Sequence, residues 1–312
     1  EMAFCDWSSD VCSSDLSLLV DRLVGDPHSR YHPVALLGRF IGWWGVPSRY
    51  PARVQRAAGA AGTILTVALF AAPFALVQFA APWYLSIILA PFLLKACFAW
   101  RSLEEHTVAV VQALEDGGID AGRARAGMLV SRDTAHLEPE HILSAAYESM
   151  TENLVDSIIS PLFYFGFFGL AGAAAFRAIN TMDAMLGYRD ERLRIGWFPA
   201  RADDIANFIP ARITGLVLLV YFAAKGRFSP AYAVLCRDRK KRPGFNGGIP
   251  MAVIAGGVGV RLEKPGVYAI GDAERTLTEA GAGIVSAVRA ATIIFALAEI
   301  GALFLLVSMR YT

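Results

Sequence analysis

Three carboxylates at four-residue spacing stand out first: Glu148, Glu152 and Asp156, in the run Tyr147-Glu148-Ser149-Met150-Thr151-Glu152-Asn153-Leu154-Val155-Asp156. On a helix they form one acidic stripe. Like charges at i,i+4 cost roughly a few tenths of a kcal/mol per pair in water. The cost rises where the stripe enters an apolar run, because ionisable groups there are rare and usually functional. A divalent cation would relieve the repulsion, and hard oxygen ligands suit Mg²⁺; a solvated face partnered by arginines would relieve it too. A second constellation runs from Arg177 to Arg192. Helical spacing puts Arg177, Asn180 and Asp183 on one face, and Arg189, Arg192, Arg201, the pair Asp203-Asp204 and Asn207 follow. Paired Asp beside Asn at the mouth of an apolar helix could bind metal or position an amine, and the arginines could grip phosphate bidentately. Juxtamembrane anchoring by Arg and helix N-capping by Asp203 form the plainer alternative.

Three weaker signals complete the set. The glycine-rich stretch Gly244-Phe245-Asn246-Gly247-Gly248 through Gly259 could let backbone N–H groups approach an anion. It matches neither the P-loop nor the dinucleotide fingerprint, and close helix packing by small residues explains it equally well. Asp26, His28 and His32 share a turn-rich loop, but no His/Cys set has zinc spacing. The basic run Arg237, Arg239, Lys240, Lys241, Arg242 reads as a membrane-side anchor touching anionic lipid.

These residues need elements to hold them, and the composition says which kind. Of 312 residues 55% are hydrophobic and only 18% charged, with mean hydropathy +0.44. One soluble core cannot hide that excess, so the bilayer is the expected solvent. Apolar segments lie at about 57–81, 83–100, 154–176, 205–224 and 284–307, most of them near the ~20 residues needed to span the hydrocarbon. The expected fold is therefore all-α: a polytopic integral membrane protein, with several transmembrane or re-entrant helices and motif-bearing polar loops. If 154–176 and 205–224 both span, the Arg-rich loop 177–204 falls outside, against the positive-inside tendency. Pro161, Gly166, Gly169 and Pro210 permit broken helices, tolerated at membrane depth when buried in protein. The polar loops are accordingly expected to converge on one, cytoplasmic, face.

Residues 6–16, Asp-Trp-Ser-Ser-Asp-Val-Cys-Ser-Ser-Asp-Leu, look like one reading-frame translation of a sequencing-library adapter that runs into a gene at about Ser17. Residues 1–16 are expected not to be native, and Leu18-Leu19-Val20 to be the end of an apolar helix. Residues 17–312 are expected to form a single membrane-embedded catalytic domain. Setting the segment aside leaves 24 acidic against 29 basic residues, a balance of +5, and only Cys97 and Cys236. Neither a nucleic-acid binder nor a disulfide scaffold fits this composition.

In this order the motifs resemble the cobinamide-phosphate synthase family of cobalamin biosynthesis, in its archaeal-type form. The matching strings include Gly25-Asp26-Pro27 with His32-Pro33-Val34, Arg132-Asp133, Glu148-Ser149, Glu152-Asn153-Leu154-Val155-Asp156 and Ser160-Pro161-Leu162-Phe163. They continue with Asn180-Thr181-Met182-Asp183, Gly187-Tyr188-Arg189, Asp203-Asp204 with Asn207, Asn246-Gly247-Gly248-Ile249-Pro250-Met251 and Gly259-Val260-Arg261. Many members have Pro-Glu where this chain has Pro250-Met251, which removes a carboxylate from any role at 251.

The resemblance implies an integral-membrane ligase that joins a carboxylate of adenosylcobyric acid to aminopropanol or its phosphate, consuming ATP with Mg²⁺. For such a reaction the residues themselves suggest Glu148, Glu152 and Asp156 as metal ligands, with Glu148, Glu152, Asp183, Asp203 and Asp204 as catalytic candidates; the resemblance itself assigns none of these roles. His32, Asn153, Arg177, Asn180, Arg189, Arg192, Arg201, Asn207 and Asn246 are the expected substrate contacts. An oligomer is compatible with it. The competing class is a transporter or non-catalytic membrane component, for which broken apolar helices around polar residues are also typical.

Overall fold

A computed structural model describes residues 16–23, 25 and 32–311. Residues 1–15 and the loop positions Asp26 and His28 lie outside the described residues. After a helical stretch at 16–23 come α1 (Pro33–Trp44), α2 (Gln55–Ala80), α3 (Trp83–Lys95), α4 (Trp100–Ala126) and α5 (Pro139–Leu154). A π-helical turn, Val155–Ile159, leads into α6 (Ser160–Leu186), α7 (Trp197–Ala206), α8 (Phe208–Ala224), α9 (Phe228–Asp238) and α10 (Gly248–Val258). The two short strands β1 (Leu262–Lys264) and β2 (Tyr268–Ile270) precede the long α11 (Leu277–Tyr311).

The chain is an all-α, multi-pass membrane protein. Among the described residues, four helical stretches are long and apolar enough to cross a bilayer: Gln55–Ala80, Trp83–Ala126, Pro139–Leu186 and Leu277–Ala302. A helix satisfies its own backbone hydrogen bonds, which hydrocarbon cannot do for it. On α2 the large side chains Ile64, Leu65, Leu69 and Leu76 face outward, as lipid contact demands and water does not tolerate in such a patch. The pair α7–α8 forms a further apolar stretch, broken at Asn207.

The described residues form two compact units: one holds residues up to Ala99, Ser160–Asn207 and the end from Ala296, the other Trp100–Ile159 and Phe208–Phe295. In the first, Leu37, Ile41 and Trp44 of α1 pack on Ala178, Met182 and Leu186 of α6. Their i, i+4, i+7/8 spacing is the single apolar stripe of a packed helix. The Trp44 indole N–H finds the Thr66 hydroxyl at 3.0 Å, which permits its burial. Helix α6 breaks at Gly169, where φ is +64°, a conformation that glycine adopts without the Cβ penalty. The Gln78 side chain repairs that break: its amide donates to the Phe168 carbonyl at 3.3 Å and accepts from the Ala171 N–H at 3.0 Å.

In the second unit, Val110 and Ala126 of α4 meet Ile142 and Ala146 of α5. Helix α10 is buried along almost its whole length. A Cβ on Gly256 would come within 2.5 Å of the Pro230 carbonyl, and one on Gly257 within 2.5 Å of the Phe222 ring. The glycine-rich stretch thus lets a helix pack closely, which is the plainer of its two sequence readings. The strands form an antiparallel hairpin with Lys264 opposite Tyr268. Its turn, Lys264-Pro265-Gly266-Val267, closes with Val267 N–H on the Lys264 carbonyl at 2.9 Å, and Gly266 has φ +72°. Proline at the second position and glycine at the third are what a type II turn requires.

Candidate functional site

The second unit contains an open cavity of about 380 Å³ whose walls come from four places. Helix α5 supplies Ala145, Glu148, Ser149, Glu152 and Asn153. Their i, i+3, i+4, i+7, i+8 spacing is one helical face, so the acidic stripe points into the cavity. The loop after α4 adds Leu129, Val130, Ser131 and Arg132; the loop after α9 adds Arg242 and Pro243; the hairpin adds Lys264, Val267 and Tyr268. Asp156 does not line the cavity. It lies in the π-helical turn, where the changed residues-per-turn ends the i,i+4 register that holds Glu148 and Glu152 on one face.

Glu148 is 5% exposed and hydrogen-bonded on both oxygens. Its Oε1 accepts from Ser144 Oγ at 2.6 Å and from Arg132 Nη2 at 3.2 Å, while Oε2 accepts from the Tyr268 phenol at 2.5 Å. Burial, and after it the Glu148 carboxylate, push the Tyr268 phenol well above its ordinary pKa, so it stays a donor at neutral pH. The backbone N–H of Glu263 reaches Ser144 Oγ at 2.7 Å, which ties the hairpin to α5. Glu152 pairs with Arg242. Asn153 donates to the Ser149 carbonyl at 2.9 Å and accepts from Ser157 Oγ at 3.0 Å. Arg132 has Nε and Nη1 buried without a hydrogen-bond partner among the described residues. Among the described residues no group of three or more His, Cys, Asp or Glu side chains is disposed to hold a metal ion. The two cavity-facing members of the stripe are engaged by Arg132, Ser144, Tyr268 and Arg242.

The first unit gathers a different cluster. Asp203, 8% exposed, accepts from Asn180 Nδ2 at 3.2 Å and from Asn207 Nδ2 at 2.9 Å. Asn207 in turn accepts from Ser160 Oγ at 2.6 Å. A buried carboxylate is retained only when its lone pairs are matched, and two amides do so here. Asp203 lies inside α7 and does not act as its N-cap.

Asp183 and Asp204 lie near enough to Asp203 for their charges to act on it, whereas the remaining expected residues are dispersed. Arg177 and Asp183 are half-buried on α6, and Arg189 is exposed beyond its end. Arg192 binds Asp190 and the Met185 carbonyl and lies 4.1 Å from the Tyr188 ring centroid. Arg201 and Asp204 form a pair at 3.5 Å on the outer side of α7. His32 caps α1, its Nδ1 accepting from Val34 N–H at 3.4 Å. Asn246 accepts from Arg212 at 2.8 Å. The basic run after α9 is mostly engaged within the protein: Arg237 and Lys241 clamp the buried Asp238, and Arg242 reaches Glu152.

Sequence reasoning missed Arg132, Lys264 and Tyr268 as site residues. The Pro265-Gly266 turn signal between two short β-prone runs was the available cue for the hairpin, and nothing local pointed Arg132 at Glu148, sixteen residues on.

A family model described as CobD/Cbib protein matches residues 15–295. The chain is 45% identical over 256 residues to the probable cobalamin biosynthesis protein CobD of Thermococcus kodakarensis, covering 81% of this chain and 82% of that one. It is 42% identical over 274 residues to the protein of the same description from Methanothermobacter thermautotrophicus, covering 85% and 88%. It is 38% identical over 273 residues to the cobalamin biosynthesis protein CobD of Dehalococcoides mccartyi, covering 84% and 87%. No solved structure matches. The model match over nearly the whole chain and these identities make the chain a member of the CobD/Cbib family.

Proposed function

We propose that the protein is an adenosylcobinamide-phosphate synthase, a carbon–nitrogen ligase acting in cobalamin biosynthesis. Its substrates are adenosylcobyric acid and aminopropanol or aminopropanol phosphate, with ATP as co-substrate and Mg²⁺ carried on the nucleotide phosphates. The observation that supports this reading is the cavity on α5, where arginine, lysine, tyrosine and carboxylate side chains converge. A carboxylate does not react with an amine at neutral pH until its oxygen is made a leaving group. In the proposed course a carboxylate oxygen of the corrinoid attacks the γ-phosphorus of ATP and ADP leaves. The amine nitrogen then attacks the acyl carbon, the C–N bond forms, and inorganic phosphate departs while a base takes the amine proton. Glu152 is proposed as the base that takes that proton: among the described residues Arg242 is its one side-chain partner. A volume of about 380 Å³ takes a phosphate-bearing fragment and not a whole corrin with its adenosyl group, so the macrocycle would stay outside with one side arm reaching in.

The polar loops are proposed to face the cytoplasm, where ATP is. Single cysteines placed near Arg192 and Lys240 should be labelled from the same side of sealed vesicles; labelling from opposite sides would refute the orientation. Purified protein with adenosylcobyric acid, aminopropanol phosphate and Mg-ATP should yield ADP and a heavier corrinoid by mass spectrometry. Corrinoid uptake into vesicles without a covalent product would favour a transporter. Running ethanolamine phosphate alongside identifies the amino-alcohol.

A further inference from the structure

We infer that Arg132 and Lys264 bind a phosphoryl group in the α5 cavity, and that Glu148 is the positioning residue that aims Arg132. The inference rests on reading this cavity as the ligase site. Arg132 is largely buried, with a side chain 12% exposed. One of its guanidinium nitrogens, Nη2, bonds Glu148; Nε and Nη1 are buried and bond nothing among the described residues. A buried donor without an acceptor costs about 1–3 kcal/mol, more for charged groups, so its retention calls for a use. The planar fork of arginine, with several N–H groups in one plane, matches phosphate oxygens. Lys264 lines the same cavity, and among the described residues its ammonium has no hydrogen-bond or ion-pair partner.

The lining carries three cations, Arg132, Arg242 and Lys264, against two carboxylates, Glu148 and Glu152. Arg242 is matched by Glu152, and Glu148 takes up one arm of Arg132, so the unmatched charge is positive. Hydroxyls and an amide, Ser131, Ser149 and Asn153, stand in the same walls. Tyr268 and Ser144 hold the Glu148 carboxylate, and through it the guanidinium, without entering the contact themselves. A tetrahedral dianion uses this many donors; a lone carboxylate does not. Such a group could come from the nucleotide or from a phosphorylated amino-alcohol.

The test uses the full chain in detergent and measures binding of inorganic phosphate and pyrophosphate by calorimetry. Arg132→Gln should weaken binding at least tenfold and Lys264→Gln several-fold. Lys240→Gln, exposed and outside the cavity, should change nothing. Arg132→Lys should recover part of the loss, because the charge returns without the fork. Glu148→Gln should raise KM for the phosphorylated substrate more than it lowers kcat, which a merely structural loss would not do. Should Arg132→Gln fail to fold, judged by helicity and gel filtration, Lys264→Gln decides. Titrations with ATP and with aminopropanol phosphate separate the sources: the one whose affinity drops in Arg132→Gln supplies the group. Unchanged affinity for both overturns the inference, and so does a loss confined to adenosylcobyric acid. Phosphate binding that depends on Arg132 in a protein that forms no amide would sink the ligase reading and leave this site standing. Amide formation indifferent to Arg132→Gln would do the reverse.

Discussion

Asp238 is buried at the end of α9 between Arg237, at 2.7 Å, and Lys241, also at 2.7 Å, and it accepts the Gly271 N–H at 2.8 Å. Desolvation pushes its pKa up, but those three donors outweigh it and hold the carboxyl well below its ordinary 3.8. A carboxylate whose folded pKa is depressed stabilises the fold fully above its unfolded pKa and loses that contribution as pH falls toward the folded one. Asp238→Asn should therefore lower stability by about 3 kcal/mol at neutral pH, the scale for breaking a buried charge pair. The gap between wild type and variant should stay constant above roughly pH 5 and shrink below pH 4. Chemical denaturation in detergent across that range checks it; a gap that grows on acidification contradicts the assignment. The carboxylates also show what spacing alone conveys. Glu148 and Glu152 were legible as a stripe on one helical face, yet the same spacing could not reveal that both are matched by cations distant in sequence.

At the level of elements, the break in α6 depends on a side chain from another helix. Gln78 of α2 bonds the Phe168 carbonyl and the Ala171 N–H on either side of Gly169, where a helix in lipid would otherwise leave both exposed. Gln78→Leu should cost roughly 2–6 kcal/mol, from two orphaned backbone groups at about 1–3 each. A thermal-shift measurement on the purified variant would read this as a clearly lower unfolding temperature; an unchanged one would mean that α6 closes its own break. The glycines and Pro161 marked this segment as breakable from sequence, because glycine reaches positive φ and proline removes a donor. The partner that repairs the break was not legible, since it lies some ninety residues earlier and local propensity carries no information about it. The hairpin escaped for a related reason. Three-residue strands fall below the length at which alternation is visible, although the Pro265-Gly266 turn was readable.

For the whole molecule, the apolar excess and scarce charge identified the bilayer as solvent, and helices long enough to cross it follow. Composition reads solvent well because the hydrophobic effect sums over area and ignores order. Chemistry depends on which few polar groups meet, and that is set by tertiary packing. Ser144, Glu148, Arg132 and Tyr268 come from α5, the loop after α4 and β2, so no window of sequence contains the site. The account stands most directly on the stoichiometry of ADP and amide. Purified full-length protein, given adenosylcobyric acid, aminopropanol phosphate and Mg-ATP, should release ADP in equal number to the corrinoid amides detected by mass spectrometry, and neither should appear without the amine. ADP release without amide, or corrinoid bound and unmodified, would contradict it.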